Sequence, residues 1–87
     1  MAEPRRFLVV AMGNRVEALR VAVGLTLSDA SLQVVVWGEM PEDEGARDHL
    51  EALEFGDIPV AVLPAGDEAS WDELARHILD SEVVYCL

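Results

Sequence analysis

The residues best equipped for chemistry in this 87-residue chain are one cysteine, two histidines and seventeen acids. Cys86 sits in the segment SEVVYCL. Two readings are open for it: a sulfur carrier, or a small apolar filler in a strand. A reactive thiolate needs a cation or a helix N-terminus nearby. The neighbouring sequence offers Asp80 and Glu82, so packing in a core or at an edge is expected. Asp67, Glu68, Asp72 and Glu73 follow an apolar run. Paired carboxylates can exchange protons or hold a hard cation, but the first turn of a helix favours acids in any case. His49 and His77 are far apart and lack a second ligand at metal spacing, so both are expected to be structural. Gly13, Asn14 and Arg15 open a helical segment, where free N–H groups and a guanidinium could draw a small anion. The segment MGNR has a single glycine, so it is neither a dinucleotide fingerprint nor a Walker loop.

These residues are carried by four short apolar runs: RFLVVAM, LQVVVWG, IPVAVL and EVVYCL. Each is nearly continuous rather than alternating, as strands buried on both faces of a parallel sheet are. Between them lie segments of helical period, which implies right-handed βαβ units. The expected elements are strands over 6–12, 32–38, 58–63 and 82–87, with helices over 14–28, 44–55 and 70–80. The first helix has Asn14 at its N-cap and an apolar stripe of Val16, Leu19, Val23 and Leu27. Val21 and Leu25 widen that stripe until the helix is apolar nearly all round. The second closes on Gly56, suited to the left-handed position after a helix. The third opens with Ser70 and Glu73 as a capping box.

A four-stranded, three-layer, flavodoxin-like sheet of order 2-1-3-4 accommodates these elements. That order places the first helix alone on one face and the other two helices opposite. Ligands would then bind at the switch point between the first and third strands, lined by Gly13, Asn14, Arg15, Ala65, Gly66 and Asp67. The apolar first helix would meet a second copy of the chain through Val21 and Leu25.

Residues 1–87 are expected to form one domain, with a core unusually rich for its size, since 52% of residues are hydrophobic. The net charge of −11 argues against nucleic acid, whose phosphates require a basic surface. The charge is uneven: residues 1–38 carry +1 and residues 39–87 carry −12. Acids on the second and third helices keep an apolar protein dispersed, and they also offer a docking surface to a basic protein. No apolar run approaches the ~20 residues of a membrane span, and a single cysteine fits a reducing compartment, so a cytoplasmic location without membrane contact is expected. No cofactor is expected.

Taken in order, RRFLVVAMGN, EALRVAVGLTLSDA, LQVVVWGEM, IPVAVLPAG and SEVVYCL resemble the small DsrE/DsrF/DsrH-like proteins, which include sulfur-relay subunits of the Tus type. The resemblance implies a flavodoxin-like fold, oligomeric assembly and, in active members, sulfur carried as a cysteine persulfide. Their active cysteine lies at or just after the third strand, where this chain has Val62, Leu63, Pro64 and Ala65. The resemblance therefore implies a non-catalytic member with an assembly or binding role. Two alternatives stand beside it: a persulfide carrier using Cys86, and a small-anion or nucleotide module at Gly13–Arg15.

Overall fold

Strands and helices alternate along the whole described chain, residues 5–26 and 31–87 of a computed structural model. The elements are β1 (Arg6–Ala11), α1 (Arg15–Leu25), β2 (Ser31–Trp37), α2 (Glu44–Phe55), β3 (Val60–Leu63), α3 (Glu68–Leu79) and β4 (Val83–Cys86). The four strands form one parallel sheet with helices on both faces, an α/β fold of three layers.

The order is β3-β2-β1-β4 rather than 2-1-3-4. The reason lies in which strands can be covered on both faces. β2 contributes Val34, Val35, Val36 and Trp37, all buried, and β1 contributes Leu8, Val9, Val10 and Ala11, also all buried. These two runs take the centre. β3 and β4 are four residues each and leave Val62, Val84 and Tyr85 exposed, so they occupy the edges.

The corrected order also moves the helices. β1-α1-β2 and β2-α2-β3 step across the sheet in the same direction, so right-handed crossovers put α1 and α2 on one face. The third crossover runs back over β2 and β1 to reach β4, which puts α3 on the opposite face. Two apolar clusters record this. Val9, Ala11, Val34 and Val36 pack with Ala18, Leu19 and Ala22 of α1 and Ala46 and Leu53 of α2. Leu8, Val10, Val35, Trp37 and Leu63 pack with Leu74 of α3. The first helix is thus not alone on its face, because α2 lies beside it.

Local capping explains the element ends. Asn14 Oδ1 accepts from Glu17 N–H at 3.2 Å, as its place before α1 suggests. The described part of α1 closes at Thr26, whose hydroxyl donates to the Val23 carbonyl at 2.6 Å; Leu27 and Ser28, expected to continue it, lie outside the described residues. At the end of α2 the left-handed residue is Asp57 (φ 57°), not Gly56. The third helix begins two residues before the expected residue 70, and its cap lies three residues before Ser70. Gly66 turns the chain with φ +87°, and Asp67 then caps α3 by accepting from Ala69 N–H at 3.0 Å. Aspartate serves as well as serine at an N-cap, so Ser70 falls inside the helix and is buried.

Candidate functional site

In a sheet of this order the direction of winding reverses between β1 and β4, not between β1 and β3. At that point Met12 and Gly13 N–H groups both donate to the Leu87 carbonyl at 2.9 Å, fastening the β1–α1 turn to the end of β4. On the other side of the same turn an open cleft of about 920 Å³ lies between the start of α1 and the β2–α2 loop. Gly13, Asn14 and Arg15 line it with Glu39, Met40 and Glu42.

Arg15 bridges two strand ends. Its Nε and Nη2 donate to the Trp37 carbonyl at 3.0 and 2.7 Å, joining the start of α1 to the end of β2. The guanidinium lies so close to Gly38 that a Cβ there would stand 2.8 Å from Nη2, and Gly38 has φ +90°. Arginine and glycine thus define this corner together. An anion entering the cleft would meet one guanidinium already bonded to a carbonyl, with two carboxylates nearby. That balance weakens the pull on a phosphate.

The other expected site residues lie elsewhere. Ala65 borders Gly38 across the strand ends, but Asp67 lines a separate cleft of about 350 Å³ between β3 and α3, together with Asp72, Glu73 and Arg76. Cys86 is in β4, paired in register with Val10, and it is exposed rather than packed away. Val84 and Cys86 share the α3 side of the sheet with Leu8 and Val10, and their exposure shows that α3 does not cover this part of β4. Val21 and Leu25 are half-buried on α1, and Leu25 packs against the α1/α2 core.

The histidines have structural surroundings. His77 Nδ1 is 3.0 Å from Gln33 Oε1, tying α3 to β2. His49 lies on α2 close enough for its charge to be felt by Glu17 across the α1–α2 contact. Glu17 is itself held below the ordinary carboxylate range, chiefly by its hydrogen bond with Arg20. The two side chains meet twice, Nε to Oε2 at 3.0 Å and Nη2 to Oε1. Among the described residues no three His, Cys, Asp or Glu side chains gather closely enough to hold a metal ion.

Sequence reasoning missed Glu39, Met40 and Glu42 as cleft residues. The signal was the long acidic loop GEMPEDEGA, which must pass beside the β1–α1 turn once β2 neighbours β1. No helix among the described residues is long and apolar enough to cross a membrane. Compared with family models, curated proteins and solved structures, the chain has no match in any of the three.

Proposed function

We propose that this chain is a non-catalytic, cytoplasmic assembly module of the DsrE-like kind that binds a second copy of itself. The observation that supports this is where its apolar surface lies. Of eight large exposed apolar side chains among the described residues, six are on α3, on β4 or at Leu87. Leu79 is 85% exposed and Trp71 56%. A large apolar patch exposed on a folded chain marks a contact site. β4 adds an unpaired strand edge carrying Val84, Tyr85 and Cys86, with no lysine or proline to blunt it. The proposal moves the contact expected on α1 to α3 and the β4 edge, where most of the large exposed apolar side chains lie. It rests on this surface and not on topology, since the strand order departs from the flavodoxin-like scheme. Sedimentation velocity over a range of concentrations tests it. The wild type should dimerise, and Val84→Lys should return it to monomer. A wild type that stays monomeric at the highest attainable concentration overturns the proposal.

A second reading is favoured by the exposure of Cys86. As a carrier, its thiol would take the outer sulfur of a persulfide donor, releasing the donor thiol and leaving Cys86 as a persulfide. Mass spectrometry after incubation with such a donor would show a gain of about 32 Da on Cys86. No gain on the native protein removes this reading.

A further inference from the structure

The edge of the sheet opposite β4 has a different character. There β3 leaves its outer side unpaired, and the β3–α3 cleft opens beside it. Val62, Leu63 and Pro64 give it an apolar lining on the β3 side. Its α3 wall is acidic: Asp67, Asp72 and Glu73 against Arg76, a formal excess of two negative charges. Inside that wall is Ser70, a polar residue only 3% exposed. Its hydroxyl makes no hydrogen bond with another described residue. No fully enclosed side-chain oxygen in the described residues lacks a partner, however. The Ser70 oxygen therefore keeps some contact with solvent, and Ser70 is one of the residues that line the cleft. The result is a nearly buried hydroxyl, bonded to no other described side chain, behind a row of carboxylates and beside an open strand edge. The carboxylates are spread too far apart to coordinate one metal ion.

We infer that this cleft takes a basic, extended segment of a partner protein, added as a strand along β3. The backbone of the segment pairs with the free side of β3, and alternate side chains enter the cleft. An arginine or lysine there lays its aliphatic stem on Leu63 and Pro64. Its head meets Asp72 and Glu73 and donates to Ser70 Oγ. The net charge of −11 steers such a segment toward the protein. Its β3 edge lies across the sheet from β4, while its α3 wall belongs to the same helix as the contact surface proposed above.

The test is fluorescence anisotropy at low salt with a labelled nonapeptide of alternating arginine and valine. Two control peptides accompany it: alternating glutamate and valine, and the arginine peptide N-methylated at every second residue to block strand pairing. The wild type should bind the first peptide and neither control. The double variant Asp72→Asn, Glu73→Gln should weaken binding by about tenfold, with its circular dichroism unchanged. Should that variant fail to fold, Ser70→Ala provides the second measurement and should also weaken binding. Amide shifts on peptide addition should centre on Val62, Ser70 and Glu73. The inference is overturned by absence of binding, by undiminished binding of the variant or of the N-methylated peptide, or by amide shifts confined to β4.

Discussion

Adding one methyl group at Gly38 should expose two separate energetic costs at the corner where β1 and β2 end. The first is conformational. Gly38 has φ +90°, and an L-residue held in that half of the map is strained by about 1–2 kcal/mol. The second is a collision. The new Cβ would sit 2.8 Å from Arg15 Nη2, a distance no real Cβ tolerates. The far end of an arginine can swing away, but only by releasing the Trp37 carbonyl, to which it donates twice. A charged donor on a neutral acceptor contributes about 1.5–3 kcal/mol when buried; Arg15 is half-exposed, so about 1 kcal/mol is the better figure here. Gly38→Ala should therefore cost about 2–3 kcal/mol. Arg15→Ala, which removes only the hydrogen bonds, should cost about 1 kcal/mol. In the double variant the collision is gone, and the total should match Gly38→Ala alone rather than the sum of the two. Urea unfolding of the four proteins measures this cycle, with a less-than-additive coupling of about 1 kcal/mol. Additivity to within about 0.3–0.5 kcal/mol would show that the guanidinium does not occupy this corner.

The capping assignment separates two neighbouring residues: Asp67→Ala should destabilise by about 1 kcal/mol through loss of the α3 cap, whereas Ser70→Ala should leave that cap intact in amide exchange at Ala69. Leu53→Ala opens a cavity between α2 and the sheet and should cost about 2–5 kcal/mol in the same urea assay. Glu17 should titrate below ordinary glutamates by NMR. Its lowered folded-state pKa means that its contribution to stability is present above the unfolded pKa and fades as pH falls through the folded one. Arg20→Ala should move that titration back toward the usual value. Phosphate should leave the melting temperature unchanged, because Glu39 and Glu42 share the cleft with Arg15; a concentration-dependent rise would assign the cleft to anions.

Periodicity and short apolar runs were enough to place every element, and the span of α2 matches residue for residue. Topology was harder, because helix faces follow from handedness only after the strand order is known. The sequence did carry a clue: LQVVVW is longer and more continuously β-branched than PVAVL, which suits a central strand. The cap of α3 was ambiguous because Asp67 and Ser70 are both good N-caps, and the glycine turn before Asp67 decides between them. The pairing of Arg15 with the Trp37 carbonyl spans 22 residues of sequence and has no local signature. The cleft beside it forms only once β2 lies next to β1. A strand position for Cys86 is legible in EVVYCL, but its exposure depends on that strand being at an edge.

The return of the chain from β3 to β4 also sets the order in which the molecule can be completed. β1, α1, β2, α2 and β3 can assemble from neighbours close in sequence. β4 must then cross the open face and dock against Arg6–Val10, with Glu82 N–H reaching the Arg6 carbonyl at 2.8 Å. Until it arrives, the FLVV segment of β1 is itself a sheet edge, and the β1–α1 turn lacks the Leu87 carbonyl that fastens it. Contacts between such distant segments form slowly. During synthesis a strand destined for the centre of the sheet therefore waits, one side uncovered, for β4 to leave the ribosome.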